Sequence, residues 1–323
     1  MTVAEIAEAL EPLARHALAS YAIDVAGLEL ITNDWNCVFR VDLRDGGRRV
    51  LRVSLPDRRT HSQVDAEMHW LDALARDTEL RVPAPVAARD DSFVVEATAD
   101  GVGGSRMCAV FHWIEGEPLI DHLVGPNLAA AGEAAARLHE HARTFPIPPG
   151  LRTWDTPFPF EEPVVLFDEE YEPILPPRER TLMRRARGAS EAAIERLQAA
   201  ETPRMIHADL HDENLFVGAN EVGVLDFDDS MVGWPVQDLG ITWFALAGRD
   251  GFDELTVAFR EGYERIAPWP ERAPGEIATF AADRCLILAN YQVQDHDPEY
   301  LAAAPDDIKR YAKKIERFLG EEA

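Results

Sequence analysis

Between Arg204 and Ser230 the chain reads "RMIHADLHDENLFVGANEVGVLDFDDS", and this stretch concentrates residue types able to do chemistry. Asp209, Asp212, Glu213, Asp226, Asp228 and Asp229 alternate with His207, His211 and Asn214 between short apolar runs. Carboxylates this close repel one another, and burying them is costly. "LFV" and "VGVL" read as short strands joined by the turn sequence "GANE". If Val217 pairs with Val222, Asn214 falls opposite Leu225, beside Asp226. Cross-strand neighbours lie roughly 5 to 8 Å apart, so the hairpin is expected to bring Asn214 and Asp226 to one open end. An amide oxygen with a carboxylate is a hard donor pair, suited to a magnesium ion that keeps some waters and also binds phosphates. A bound dication would offset the repulsion.

Asp209 precedes Asn214 on the same loop, placed to accept a hydroxyl proton. An HxDxxxxN loop, then a hairpin, then Asp before Phe, is the order of a kinase catalytic loop and metal-binding turn. "HADLHDEN…VLDFDD…QDL" resembles the aminoglycoside phosphotransferase and choline kinase-like family, in its bacterial homoserine-kinase-like and stress-response kinase-like branches. The resemblance implies an α+β, two-lobed, protein-kinase-like fold with a small β-rich N-lobe and a larger, mainly helical C-lobe. It implies Asp209 as catalytic base or hydroxyl-orienting group, and Asn214 and Asp226 as magnesium ligands. His207 would organise the loop, and Asp238 of "QDL" would hydrogen-bond the loop backbone from a helix start. Asp228 would be an additional metal residue or a support to the ligands. Ala208 stands where eukaryotic kinases carry arginine.

The elements needed to position these residues can be read from pattern. "VFRVDL" and "RRVLRVSL" alternate about the turn signal "RDGG". "HSQVDAEMHWLDALAR" changes to helical period, with Val64, Met68 and Leu71 on one stripe. Glu67 lies within that stripe and wants a buried partner, unless it marks the stripe's solvent edge. Kinase chemistry also needs a cation for the nucleotide phosphates and a carboxylate to hold it. The only lysines are Lys309, Lys313 and Lys314, so the candidate pair is Arg52 with Glu67. Guanidinium grips phosphate as a fork where ammonium acts as a point charge. "TNDWNCVF" would cover the nucleotide, with Asn36 at the phosphates, or is a plain turn. "AVFHWIEGEPL" resembles the hinge, with His112, Trp113 and Ile114 at the adenine edge.

"SFVVEA" and "RMCAVFHWI" read as further strands. Helices are expected over 127–143, capped by Asn127, then 178–200, 238–248, 252–266, 275–294 and 305–319. The expected division is a nucleotide-binding lobe, 1–113, and a catalytic and acceptor-binding lobe, 114–323.

The chain has 323 residues, 46% hydrophobic, and a formal net charge of −26. That charge argues against nucleic-acid and anionic-membrane surfaces and is compatible with a cationic substrate. The amphipathic start and the lack of a long apolar run give cytoplasm as the expected location. Cys37, Cys108 and Cys285 form no CxxC pair and are expected as reduced thiols.

The expected cofactors are ATP or GTP with Mg2+, and the expected acceptor is a hydroxyl on a small molecule such as an amino alcohol, aminoglycoside or sugar. Carboxylates at Asp155, Glu161, Glu162, Asp168, Glu169 and Glu170 are candidates to line an amine pocket, or form a solvated loop; Asp295 and Asp297 are a second candidate wall. The rival readings are a Ser/Thr protein kinase, a non-catalytic nucleotide-binding regulator, and a zinc or iron hydrolase built on His207, Asp209 and His211. The sequence does not specify oligomeric state.

Overall fold

The computed structural model describes residues 3–33, 35–56, 58–99, 102–160, 163–218, 221–294 and 298–320. Proximity along the backbone divides the chain into two compact units. The first is Met1–Gly116 with Pro148–Leu151 and Gly223–Asp228; the second is Glu117–Ile147, Arg152–Val222 and Asp229–Ala323. The first unit therefore takes in two later segments that a linear reading of pattern does not assign to it.

The first unit opens with α1 (Val3–Leu18), then β1 (Val25–Asn33), β2 (Asn36–Leu43) and β3 (Arg48–Ser54). α2 (His61–Asp77), β4 (Val94–Ala97) and β5 (Arg106–His112) complete it. The strands form an antiparallel sheet in the order β1-β2-β3-β5-β4. Alternation along β2 sends Cys37, Phe39, Val41 and Leu43 into a core shared with Leu13, Tyr21, Leu51 and Val110. The β2–β3 turn uses Gly46 at φ 87°, and Asp45 Oδ1 accepts from Gly47 N at 2.9 Å. The hairpin pairs Val38 with Arg52, which fixes where the Arg52 side chain leaves the sheet.

α2 begins at a capping box: Thr60 Oγ1 accepts from Gln63 N, and Gln63 Oε1 accepts from Thr60 N. Such a cap contributes about 1 kcal/mol. Its buried face carries Val64, Met68, Leu71 and Leu74, and Glu67 lies on that face.

The second unit contains β6 (Glu117–Pro118), α3 (Gly125–Ala142), α4 (Pro177–Ala200), β7 (Arg204–Ile206) and β8 (Leu215–Val217). β9 (Val222–Val224) carries the chain from the second unit into the first. β10 (Met231–Gly233), α5 (Pro235–Leu246), α6 (Phe252–Glu264), α7 (Glu276–Gln294) and α8 (Pro298–Phe318) follow. β7 pairs antiparallel with β10, and β6 with β8. The β8–β9 turn is closed by Gly218 N donating to Glu221 O at 2.8 Å.

α3 and α6 approach backbone to backbone. A Cβ at Gly132 would lie 2.0 Å from Phe259 O, and one at Gly262 would lie 1.9 Å from Ala129 O. No side chain fits at either position, so both glycines are needed for the packing itself. A separate core gathers Leu166, Leu182, Met183, Leu286, Ile308 and Ile315.

Three helix starts differ from the pattern reading by two residues or more, and the first is α5, which begins at Pro235 and not at 238. α3 begins at Gly125 with Val124 as its cap, because Pro126 suits the first turn and starts the helix earlier. Asn127 is inside the helix, and its Nδ2 donates to His122 O at 2.9 Å. α8 begins at Pro298 and runs through Pro305, which pattern treats as a start. Glu161, Glu162, Asp295 and Asp297 lie outside the described residues. Among the described residues no helix is long and apolar enough to cross a membrane. The three cysteines are free and buried.

Asp283 of α7 is fully buried. Its Oδ2 accepts from Trp154 Nε1 at 3.3 Å. Burial pushes its carboxyl well above the ordinary range, against smaller opposing effects from Ser190 and Trp154. The folded chain thus holds this proton after the unfolded chain has lost it. Stability must fall as pH rises above the unfolded carboxyl's pKa of about 4, by up to about 1.4 kcal/mol per pH unit until Asp283 ionises. Asp283→Asn is expected to remove that slope and to be the more stable form at alkaline pH. Urea melts of both proteins between pH 5 and 9 check it; parallel pH profiles would contradict it.

Candidate active site

In the second unit, β7 delivers the chain into the loop at His207. Ala208 adopts left-handed backbone, φ 64°. For a residue with a Cβ this conformation costs about 1–2 kcal/mol, so the loop must be held from outside. Asp238 does so from the first turn of α5. Its Oδ2 accepts from His207 N at 2.9 Å, and its Oδ1 accepts from Ala208 N at 2.6 Å. The carboxylate is fully buried, and His139 Nε2 of α3 lies 3.0 Å from Oδ2. His139 Nδ1 in turn lies 3.0 Å from the Tyr263 hydroxyl of α6. Thr242 Oγ1 donates to Leu210 O at 2.7 Å, and His207 Nδ1 accepts from Asp209 N at 3.2 Å.

The loop so held presents Asp209. Its Oδ1 meets Arg284 Nη2 at 2.5 Å. Its Oδ2 is 3.2 Å from His211 Nε2 and accepts from Asn214 Nδ2 at 3.0 Å. Asn214 Nδ2 also donates to Asp209 O at 3.0 Å. Burial raises the Asp209 pKa, but Arg284 and His211 outweigh it and hold the carboxyl below its ordinary range. For His211, burial works downward and Asp209 overrides it, so the imidazole is raised. Near neutrality Asp209 is therefore a carboxylate gripped by the Arg284 guanidinium, better built to orient a hydroxyl than to carry off its proton early.

In the first unit, Arg52 and Glu67 form a bidentate pair at 2.7 and 2.7 Å. Glu67 sits on the buried face of α2, and Arg52 reaches it from β3. Arg59, from the loop before α2, joins them. Its Nη1 lies 2.6 Å from Glu67 Oε2 and 2.5 Å from Asp228 Oδ1. Arg52 Nη1 is 3.4 Å from the same Asp228 oxygen, and Asn36 Nδ2 donates to Asp228 Oδ2 at 3.0 Å. Two guanidinium groups thus face two carboxylates in a mostly buried cluster. Burial alone would lower Arg52; Glu67 and Asp228 reverse that and raise it. Burial likewise works upward on Asp228, and Arg52 and Arg59 bring it below its ordinary value.

Two sequence candidates belong to this cluster. Asp228, read as a support or metal residue, is engaged by two arginines. Asn36, read as a phosphate contact, is bonded to Asp228. Asp226 has left-handed backbone, φ 58°, in the first unit, close enough for its charge to act on Arg52. Asn214 stands in the second unit. Trp113 lies under Arg48, whose guanidinium carbon is 4.8 Å from the ring centroid. Ile114 packs against the Gly223 backbone, where an added Cβ would lie 3.4 Å from Ile114 Cγ2. The described carboxylates of the insert, Asp155, Asp168, Glu169 and Glu170, are exposed. Among the described residues no three His, Cys, Asp or Glu side chains form a metal-holding group.

Sequence reasoning missed Arg59, His139 and Arg284. His139 and Arg284 left a signal, as lone polar residues on apolar helix faces, which want partners. Arg59 sits in an irregular loop and left none.

One unit built on a small antiparallel sheet and one mainly helical, with a carboxylate loop of this kind, make a protein-kinase-like α+β fold. The model of the phosphotransferase enzyme family matches residues 27–275, and the chain belongs to that family. An uncharacterized protein of Deinococcus radiodurans is 30% identical over 292 residues, covering 86% of this chain and 80% of its own. Amicoumacin kinase of Bacillus subtilis is 23% identical over 267 residues, covering 78% of this chain and 76% of its own. Among solved structures, a microcompartment-associated aminopropanol kinase superposes with TM-score 0.74 at 24% identity, over 96% of this chain and 98% of that one. An amicoumacin kinase in complex with AMP-PNP and Ca2+ gives TM-score 0.73 at 17% identity, over 97% and 96%.

Proposed function

We propose that the chain is an ATP-dependent phosphotransferase that moves the terminal phosphoryl group to a hydroxyl of a small molecule. One observation carries this reading: Asp209, ionised and half-buried, is held on a strained loop by Asp238. Such rigid placement of a carboxylate suits a reaction whose catalysis is mainly positioning and charge neutralisation. The acceptor oxygen attacks the terminal phosphorus, the bond to the bridging oxygen breaks, and ADP leaves with that electron pair. Asp209 aligns the hydroxyl and receives its proton as the new ester forms.

Arg52, fixed by Glu67 and backed by Arg59, would steady the nucleotide phosphates. Backbone groups at Trp113 and Ile114 would meet the adenine edge. Asn214 and Asp226 are hard oxygen donors that fit magnesium. The Asn214 amide spends Nδ2 on Asp209, which leaves Oδ1 as its metal-facing end. Magnesium, when bound, supplies neutralisation of phosphate charge. The AMP-PNP complex of the amicoumacin kinase supports ATP as donor, and the small-molecule kinases among the relatives favour a small acceptor over a protein. The presence of Asp209, Asn214 and Asp226 together favours catalysis over a purely regulatory role.

Asp226→Ala tests the reading. The magnesium-dependent part of ATP affinity is expected to fall by about 100-fold or more, since disturbing even the partners of metal ligands costs about 10–100-fold. Calorimetric ATP titrations with and without magnesium measure it. An unchanged magnesium dependence would remove Asp226 from the metal site.

A further inference from the structure

A cavity of about 360 Å³ lies within the second unit, and Arg284 and His211, both bonded to Asp209, form part of its wall. Arg284 comes from α7, Arg310 and Lys314 from successive turns of α8, and Arg249 from the segment after α5. Four basic side chains thus meet Asp212 and Glu213 in the wall. Arg284 is paired with Asp209, Arg249 with Asp212 at 3.4 Å and Arg310 with Asp307 at 2.8 Å, while Lys314 meets a backbone carbonyl. The chain as a whole carries −26, so four basic side chains in one wall run against its background. Lys314 is one of only three lysines. Its ammonium donates to Phe244 O at 2.9 Å and lies 4.0 Å from the Phe244 ring centroid. Burial lowers its pKa, so it is a partly desolvated cation that gains from an anion nearby.

We infer that the acceptor carries an anionic group, a carboxylate or a phosphate, which docks against Lys314, Arg310 and Arg284 while its hydroxyl meets Asp209. This rests on the phosphotransferase reading and is opposite in sign to an amine-recognising pocket. Arg284 gives it a mechanism. Arg284 grips Asp209 Oδ1 at 2.5 Å. An acceptor anion competes for that guanidinium and releases the oxygen for the acceptor hydroxyl. A cationic acceptor offers Arg284 nothing and is itself repelled.

The test is ADP release by the full chain with ATP and magnesium against matched acceptors. Glycerate and hydroxybutyrate form the carboxylate arm, and glycerol phosphate the phosphate arm. Ethanolamine and propanolamine form the amine arm, and glycerol the uncharged one. ATP binding is measured in parallel. At least one anionic arm is expected to exceed the amine and uncharged arms in kcat/KM by about tenfold or more, and the better of the two names the anion. Lys314→Met and Arg310→Gln are expected to raise the acceptor KM about tenfold with a smaller change in kcat, and Lys314→Arg to restore it. A merely structural Lys314 would lower the melting temperature without changing the anion-to-amine ratio, and that result would overturn the assignment. So would turnover of the amine arm in preference, or no turnover of any anionic acceptor by protein that binds ATP. Failure to bind ATP would instead overturn the phosphotransferase reading, and the inference with it.

Discussion

Replacing Asp209 by asparagine is expected to lower kcat for phosphoryl transfer by about 10²–10⁴-fold, the range that a positioned acid or base contributes. The amide keeps the size of the side chain and loses its charge. Arg284 and His211, which hold the two carboxylate oxygens, would then face a neutral group. The acceptor hydroxyl would lose both its alignment and the acceptor of its proton. The groups proposed to hold the nucleotide are other residues, so ATP affinity is expected to stay within about threefold, a change of under 1 kcal/mol. Single-turnover transfer and calorimetric ATP binding on the same preparation separate the two effects. Transfer within tenfold of the parent would remove Asp209 from the chemistry.

Asp238→Ala is expected to have the second largest effect, on stability and activity together. It strips the partner from two buried backbone donors, His207 N and Ala208 N, and from His139. Leaving each of these buried groups without its partner costs about 1–3 kcal/mol, so the total loss is expected to be about 3 kcal/mol or more. The same change frees Ala208 to leave its left-handed conformation, and Asp209 moves with it. Asp238→Asn retains one oxygen for two donors and is expected to cost about 1–3 kcal/mol, the penalty for an unsatisfied buried group. Ala208→Gly in the Asp238→Asn background should recover part of the loss, because glycine occupies that conformation without strain. Urea denaturation gives the stabilities. A loss under about 1 kcal/mol for Asp238→Ala, the net worth of one ordinary hydrogen bond, would mean that the loop is held by other means.

Much of this architecture was readable from periodicity. The alternation of β2 and β3 and the helical period of α2 are local features, settled by neighbours a few residues away. The approach of Glu67 and Arg52 was readable for a different reason: a carboxylate on an apolar stripe must find a cation, and the adjacent strand offered one. The order His207, Asp209, Asn214 and Asp226 was legible because the loop and turn are short.

What pattern could not supply were partnerships between distant segments. Arg59 and Asp228 meet through the first unit's fold, 169 positions apart, and nothing local to either announces the other. His139 and Asp238 meet 99 positions apart, on helices α3 and α5. The cation-lined cavity needs Arg284 on α7 beside Lys314 on α8, and the sequence's dominant signal, a strongly acidic composition, pointed to the opposite ligand charge. Net charge describes the whole surface; a cavity's sign is set by the few side chains in its wall.

The central claim is that the chain transfers the terminal phosphoryl group of ATP to an acceptor hydroxyl. The measurement that meets it most directly follows the label from γ-labelled ATP, with magnesium, in the presence of the matched acceptors. The account predicts label in an acid-stable organic phosphate ester, in equal amount to the ADP formed, and at least about 100-fold slower labelling of the ester with Asp209→Asn. ADP formation with all of the label in inorganic phosphate, or label in the ester undiminished by Asp209→Asn, would contradict it.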